Sequence, residues 1–114
     1  MTPGGNPAEA EPDGRDDFSE AVLDVVAAIP AGRVLSYGDV AEYLAGEHPR
    51  GGARAVGRVL ATRGSGVPWW RVLRADGSVV PVLRERALTA YRAEGTPLLR
   101  GGSRVDMARA RWDG

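Results

Sequence analysis

The sequence predicts an α+β fold that is made mostly of helices and contains one small β-hairpin. Apolar residues recur at helical spacing in several segments, and Gly or Pro follows the end of most of these segments. One Asp76-Gly77 turn lies between two short apolar runs, which is typical of a hairpin. The chain has 114 residues, a length that suits one domain with a modest core.

The first helix is expected to follow an acidic tail. Residues 1–15 consist mainly of Pro, Gly, Ala and acids, so we expect them to be disordered, with the folded domain over residues 16–114. Asp17 and Glu20 have the spacing of a capping box and predict where the helix begins, and Pro30 ends it. The stripe at helical spacing comprises Phe18, Val22, Val25, Val26 and Ile29.

Two further helices are predicted in succession. Ser36 has the character of an N-cap, with Asp39 three residues later. The third helix is predicted over residues 53–61, where Arg54 and Arg58 share an exposed face. The buried faces are expected to carry Val40, Ala41 and Leu44 in the second helix, and Val56 and Leu60 in the third.

The rest of the chain predicts a hairpin and one more helix. The Asp76-Gly77 turn would join a strand at Val72-Leu73 to one at Val79-Val80. A helix is predicted over residues 84–93, and residues 98–114 are expected to close the core as short extended segments. Two helices joined by a turn and followed by a hairpin are the order of a winged helix-turn-helix DNA-binding domain.

Composition excludes several kinds of site. The chain contains no cysteine, so it has no disulfide, no thiolate metal ligand and no cysteine nucleophile. His48 is the one histidine, and we expect neither a metal nor a cofactor. The sequence contains no apolar run of membrane-spanning length and no signal pattern, so we expect a cytoplasmic monomer that binds no membrane.

The net charge of zero hides two regions of opposite sign. Residues 1–17 carry five acids against one arginine, and all 15 basic residues of the chain are arginine. No acid occurs between Glu47 and Asp76. The arginines of this interval are expected either to attract phosphates or to form a solvated face of the protein. These arginines are Arg50, Arg54, Arg58, Arg63, Arg71 and Arg74.

Three segments together resemble a known family. They are IPAGRVLSYGDVA (29–41), ARAVGRVL (53–60) and VPWWRVLRADG (67–77). They are similar to the DNA-binding domain of the O6-alkylguanine-DNA alkyltransferases, over about residues 18–95. In those enzymes the third segment reads Pro-Cys-His-Arg-Val, and its Cys takes the alkyl group. Trp69 stands at that place here, as in the alkyltransferase-like proteins, which bind alkylated guanine without repairing it and recruit nucleotide excision repair.

The chemistry of the residues agrees with this resemblance. Alkyl transfer needs a strong nucleophile such as a thiolate, and an indole does not serve. Trp70 stands where the family has the His that relays the proton, and Glu94 where it has a supporting Glu, so we expect Glu94 to be structural. The resemblance thus implies a non-enzymatic sensor that flips O6-alkylguanine out of duplex DNA and passes it to nucleotide excision repair proteins.

The resemblance also implies the residues that bind DNA. Tyr37 matches the tyrosine that pushes on the phosphate 3′ to the flipped base, and Arg54 matches the finger that fills the vacated stack. Small residues let the third helix lie against the backbone in the minor groove. The expected DNA contacts are Ser36, Tyr37, Arg54, Ala55, Gly57 and Arg58. The alternatives are a core aromatic for Tyr37 and a solvated arginine for Arg54.

A pocket for the alkylated base is expected around Trp69. Its indole would present a flat face to the base, although Trp69 and Trp70 also suit two core aromatics. The carbonyls of Trp69 and Val72 would accept hydrogen bonds from the guanine amino group, and Arg84 or Arg86 would sense the base. The pocket set is Tyr37, Leu60, Pro68, Trp69, Val72, Arg84 and Arg86.

Three other functions compete with this interpretation. A winged-helix transcription regulator would prefer one sequence of undamaged DNA. A base-flipping repair enzyme of another chemistry would use Asp39 or Glu94 as its acid or base. The third is a relic of an alkyltransferase that has no partner.

Overall fold

Two short parallel strands join the halves of the molecule. The computed structural model describes the backbone of residues 7–114 and the side chains from Asp17 onward. Strand β1 (Leu35–Ser36) pairs with β2 (Val72–Leu73), Leu35 opposite Val72 and Ser36 opposite Leu73. The helices are α1 (Pro7–Ala28), α2 (Tyr37–Tyr43), α3 (Ala53–Arg63), α4 (Arg84–Glu94) and α5 (Met107–Ala110). Three 3₁₀ turns cover Gly64–Gly66, Trp69–Arg71 and Pro81–Leu83.

Helix α1 begins earlier than the sequence predicts. It begins at Pro7 rather than near Asp17, so the predicted boundary between residues 15 and 16 falls within the helix. Ala and Glu in residues 8–11 favour a helix, and Pro is tolerated in its first turn. Glu20 is therefore not part of a cap, and its carboxylate pairs with Arg63 of α3 at 2.9 Å. Residues 1–6 of the predicted tail lie outside the described residues.

The first part of the core lies between α1, α2 and α3. The predicted stripe of α1 packs there, with Phe18 half-buried and the other four residues buried. Val40, Leu44 and Val56 are buried as predicted, whereas Ala41 and Leu60 are half-buried and pack against the edge of the cluster. The buried members of the cluster are Val22, Val25, Val26, Ile29, Leu35, Val40, Leu44, Val56, Val59 and Val72.

The predicted capping box at the start of α2 is confirmed. The amide of Asp39 donates to the Ser36 hydroxyl at 3.0 Å, and the amide of Ser36 donates to an Asp39 carboxylate oxygen at 2.9 Å. Arg111, near the C-terminus, donates to the same carboxylate at 2.9 Å. These bonds fix the direction in which the chain turns from β1 into α2.

The predicted hairpin forms only its turn. The amide of Gly77 donates to the Arg74 carbonyl at 2.9 Å, but β2 pairs with β1 rather than with Val79-Val80. Val79 is instead buried in the second part of the core, and Pro81, which has no amide hydrogen, begins a 3₁₀ turn. The prediction of two strands joined by Asp76-Gly77 is therefore wrong in its strand pairing, while the mostly helical α+β class is confirmed.

The C-terminal residues complete the second part of the core. Leu98 and Val105 form an antiparallel bridge, and Val34 forms a parallel bridge with Arg111, as expected of short extended segments. The short helix α5 was not expected. The buried residues here are Val34, Leu73, Val79, Ala87, Leu88, Tyr91, Val105 and Ala110.

Within residues 7–114 no helix is both long and apolar enough to cross a bilayer. The same part of the chain contains no group of three or more His, Cys, Asp or Glu side chains that could hold a metal ion.

Candidate functional site

Tyr37 and Arg74 leave the sheet side by side. Ser36 is opposite Leu73 in the parallel pair, and Tyr37 and Arg74 are the residues that directly follow the two strands. Burial raises the pKa of the Tyr37 hydroxyl above 10.0, and the nearby positive charge of Arg74 offsets only part of this effect. Tyr37 is therefore a neutral hydrogen-bond donor and acceptor at neutral pH.

The ring of Tyr37 lies across α3 at Gly57. A Cβ atom on Gly57 would lie 4.0 Å from ring carbons Cδ1 and Cε1, so the small residue lets the ring pack against the helix. Arg54 is one turn earlier on α3 and is exposed. Tyr37 is thus both a packed aromatic and an edge residue, and the two interpretations weighed from the sequence are compatible.

The other predicted DNA contacts have different surroundings. Ser36 is 4% exposed, and its hydroxyl is engaged in the cap of α2. Arg58 is exposed and Ala55 is half-buried, and both line a groove of about 670 Å³ beside Phe18 and His48. Ser36 therefore has a structural role in the free protein, whereas Arg58 is open to a ligand.

Trp69 and Leu60 both border Gly64. A Cβ atom on Gly64 would lie 3.4 Å from Leu60 Cδ2 and 3.6 Å from Trp69 Cβ. The guanidinium carbon of Arg86 lies 5.4 Å from the centroid of the Trp69 ring, which is the geometry of a cation–π contact. Three residues of the predicted pocket therefore lie in one region, where Leu60 and Trp69 border Gly64 and Arg86 lies near the Trp69 ring.

The other four residues of the predicted pocket have different surroundings, and one of them, Tyr37, packs against Gly57 as described above. Arg84 is exposed as the first residue of α4. Val72 is 3% exposed in β2, so its side chain belongs to the core and only its backbone could face a ligand. Pro68 lines a groove beside Trp70 and Arg71. The amide of Val72 already donates to the Trp69 carbonyl.

Trp70 points into a network centred on Glu94. Its Nε1 donates to Glu94 at 2.8 Å, and Arg71 donates to both oxygens of that carboxylate, at 2.6 and 3.1 Å. The amide of Gly32 adds a bond of 3.2 Å. The Tyr91 hydroxyl donates to the Trp70 carbonyl at 2.5 Å. Glu94 accepts all of these hydrogen bonds except the one from Tyr91. They link α4 to the 3₁₀ turn Trp69–Arg71 and to Gly32, which precedes β1.

The two carboxylates considered for catalysis are both ionised. Burial opposes the charge of Glu94, but hydrogen bonds from Arg71 and Trp70 outweigh it and keep the pKa of this carboxyl below its usual range. Burial also opposes the charge of Asp39, and bonds from Ser36 and Arg111 lower its pKa in the same way. Groups held as charged acceptors are poor proton donors at neutral pH.

Several contacts around the site have no signal in the local sequence. Arg74 was counted only as one charge of the acid-free interval, because nothing local indicates that β2 pairs with β1. Tyr91 is 1% exposed, and its bond to Trp70 depends on the docking of α4. The Phe18 and His48 rings meet at 5.6 Å, and Phe18 would overlap any Cβ on Gly51, which explains that glycine. For the contacts of Phe18, the position of this residue in the apolar stripe of α1 is the signal in the sequence.

Known proteins are similar to this chain in sequence and in structure. The family model for the DNA-binding domain of 6-O-methylguanine DNA methyltransferase matches residues 17–95 of this chain. A DNA base-flipping protein of Escherichia coli (strain K12) is 42% identical over 112 residues, which cover 94% of this chain and 83% of that protein.

Two solved structures share the fold. S. pombe Atl1, in complex with damaged DNA that contains O6-carboxymethylguanine, has a TM-score of 0.72 at 26% identity. S. pombe ATL in complex with DNA has a TM-score of 0.71 at 27% identity. Each match covers 87% of this chain and 97% of the other chain.

Proposed function

Because the chain belongs to the family of the 6-O-methylguanine DNA methyltransferase DNA-binding domain, we propose that it is a non-enzymatic sensor of O6-alkylguanine in duplex DNA. One observation carries the proposal. An indole, Trp69, stands where the resembling alkyltransferases have their nucleophile, in contact with Arg86 and next to Leu60, in a chain with no cysteine. The S. pombe structures contain DNA, and the E. coli relative is named for base flipping, which supports the same role here.

Recognition begins with extrusion of the base. A lesion inside the stack is out of reach until its nucleotide rotates out, at a cost of a few kcal/mol. Tyr37 presents a neutral hydroxyl beside Arg74, so it can press on a phosphate while the arginine offsets the phosphate charge. Arg54 is exposed one turn before Gly57, against which Tyr37 packs, and its planar guanidinium fills the vacated stack.

The extruded base is held by stacking rather than by a reaction. The Trp69 indole offers one flat face, and Arg86 lies near the same ring. A base that stacks on this indole is stabilised without a bond being made or broken. Of the two arginines considered from the sequence, Arg86 has the contact that suits a sensor of the base, and Arg84 has the position of a phosphate contact.

Trp70, the residue after Trp69, cannot relay a proton as the histidine of the resembling alkyltransferases does. A proton relay needs a group that both gives and takes a proton, and the Trp70 indole only donates. Its N–H is already engaged by Glu94 at 2.8 Å. Glu94 is in turn held by Arg71, so neither residue is free to activate a nucleophile or water.

The competing functions make different predictions. A repair enzyme of another chemistry would need Asp39 or Glu94 to change its protonation state, and both are held as charged acceptors. A transcription regulator would read base edges with a helix in the major groove. The exposed residues of α3 are small residues and three arginines, Arg54, Arg58 and Arg63, of which Arg63 pairs with Glu20. This set suits close approach to a backbone in any sequence.

Two finer features complete the proposal. The bound lesion is passed to nucleotide excision repair proteins, because a sensor that makes no covalent change must recruit another activity. The protein acts as a cytoplasmic monomer and associates with the nucleoid when it is bound to DNA.

The test compares two DNA duplexes that differ only in the methyl group on one guanine O6 atom. Guanine and O6-methylguanine duplexes of the same sequence are titrated, and binding is followed by mobility shift and tryptophan fluorescence. We expect tighter binding of the modified duplex, quenching that Trp69→Phe removes, and no loss of the methyl group or release of the base. Arg54→Ala and Tyr37→Phe should weaken lesion binding while thermal unfolding stays unchanged. Equal affinity for the two duplexes, or any turnover of the lesion, would reject the proposal.

A further inference from the structure

A basic edge lies on the β2 side of Tyr37 and includes residues beyond the matched range 17–95. It consists of the turn Arg74–Ser78 and the hairpin Leu98–Val105, whose ends form the antiparallel bridge. The amide of Val105 donates to the Gly77 carbonyl at 2.9 Å. A Cβ on Gly77 would lie 2.2 Å from the Val105 carbonyl oxygen, so the two segments touch backbone to backbone.

The edge carries an excess of positive charge. Arg74, Arg100 and Arg104 are exposed on it, and Asp76 is the acid at the tip of the turn. The Asp76 carboxylate accepts bonds from the Ser78 amide and hydroxyl, at 2.9 and 2.6 Å. These bonds keep the pKa of Asp76 low, and the positive charges of Arg104 and Arg74 lower it further.

This edge is continuous with the residue proposed to act on the DNA backbone. Tyr37 and Arg74 follow paired residues of the two parallel strands, so they emerge at the same end of the sheet. On its other side the ring of Tyr37 packs against Gly57 of α3, the helix that carries Arg54 and Arg58. Positive side chains therefore flank Tyr37 from both directions.

We propose that Arg74 and Arg104 bind backbone phosphates of the DNA on the β2 side of Tyr37, while α3 binds on the other side. The inference rests on the proposed function and adds a second strip of DNA contact, part of which comes from the C-terminal hairpin. Contacts to phosphates carry no sequence or lesion information, so the strip adds affinity for any duplex. Anchoring the backbone on both sides of Tyr37 gives that residue a fixed strand to push against. Gly77 is required because only a residue without a side chain allows the hairpin to dock on the turn.

The experiment measures the dependence of affinity on salt for lesion and unmodified duplexes. Each phosphate contact that is lost reduces the slope of log K against log salt by about 0.9. We expect Arg104→Ala and Arg74→Ala each to reduce the slope by about 1 and to weaken both duplexes about equally, by about 5-fold. Arg92→Ala, at the other end of α4 from Arg86, is the charge-matched control and should leave the slope unchanged.

A variant with the opposite sign makes the test sharper. Asp76→Asn keeps an acceptor for the Ser78 amide but removes the negative charge between the arginines. We expect it to tighten binding of both duplexes about 3-fold. The inference is overturned if Arg74→Ala and Arg104→Ala match Arg92→Ala, or if Asp76→Asn has no effect. Because the slope on the unmodified duplex does not depend on lesion preference, this failure is distinct from failure of the proposed sensor.

Discussion

Trp69 and Trp70 are neighbours in sequence but belong to different environments. Their rings meet edge to face, with centroids 5.5 Å apart and an angle of 86° between the planes. Trp69 lies against Arg86 and near Leu60, in the group of residues proposed to hold the base. Trp70 bonds to Glu94, beneath which Arg71 ties the segment to the Ile29 carbonyl at 2.8 Å.

The difference separates a residue that offers surface to a ligand from one that holds the fold together. A ligand site needs a face that is left open, whereas a structural network needs every donor and acceptor paired. Trp70 supplies a donor for Glu94, so this carboxylate remains satisfied in a chain without cysteine. Trp69 supplies surface. The two tryptophans should therefore respond to mutation in different measurements, stability for one and lesion affinity for the other.

The largest expected effect is on the network. Glu94→Gln removes the charge that pairs with Arg71, whose side chain is 16% exposed, and we expect a loss of about 3 kcal/mol in the free energy of unfolding. Urea unfolding measures it. Arg92→Gln, an exposed change nearby on α4, should cost less than about 0.5 kcal/mol.

The same variant should respond to pH in a defined direction. The pKa of Glu94 is lowered by folding, so its contribution is complete above its ordinary value of 4.5 and is lost as the pH falls through the folded value. The stability gap between the wild type and Glu94→Gln should therefore shrink on going from pH 7 to below 4.5. A gap that stays constant with pH would show that the charge of Glu94 does not stabilise the fold.

The next effect belongs to the other tryptophan. Trp69→Ala removes the surface on which the base stacks, a contact worth about 1–3 kcal/mol, or about 30-fold in affinity at the middle of that range. We expect this loss for the lesion duplex and a smaller one for unmodified DNA, by mobility shift. Trp69→Phe keeps an aromatic face and should retain most of the preference. If alanine and phenylalanine behave alike, the indole does not contact the base.

Trp70→Phe should produce the reverse result at a smaller magnitude. It leaves one Glu94 oxygen without the indole donor, and a hydrogen bond to a charged group contributes about 1.5 kcal/mol or more. We expect that loss of stability with lesion affinity within about 2-fold of the wild type. A variant that unfolds normally but loses lesion affinity would place Trp70 in the site and remove the contrast between the two residues.

Local patterns determined how much of the fold was predictable. The cap at Ser36, the inner faces at Val40 and Val56, and the start of α4 at Arg84 depend on residues a few positions apart, and all were found. The pairing of β1 with β2 joins residues 37 positions apart and has no local signal. The Asp76-Gly77 turn was correct, but turn chemistry does not decide which strand becomes the partner.

The candidate site divides in the same way. Motif matching proposes Tyr37, Arg54, Leu60 and Trp69 as site residues, and the structure shows what lies beside each of them. Motif matching could not find that Arg74 lies beside Tyr37 or that Tyr91 bonds to the Trp70 backbone, since both contacts depend on tertiary packing. Ser36 is predicted both as the N-cap of α2 and as a DNA contact, and the cap bond is the one that local spacing indicates.

The smallest expected effect decides between two arginines that the sequence left equal. Arg86 lies 5.4 Å from the Trp69 ring centroid, whereas Arg84 is an exposed residue at the first position of α4. A cation–π contact at a site open to solvent contributes about 0.5–1 kcal/mol, so Arg86→Ala should reduce the ratio of lesion to guanine affinity about 3-fold. Arg84→Ala, matched in charge and helix, should weaken both duplexes equally and leave the ratio unchanged, because a phosphate contact does not distinguish the bases. The reverse pattern would assign base sensing to Arg84. Arg86 would then only orient the Trp69 indole and would not contribute to the preference for the lesion.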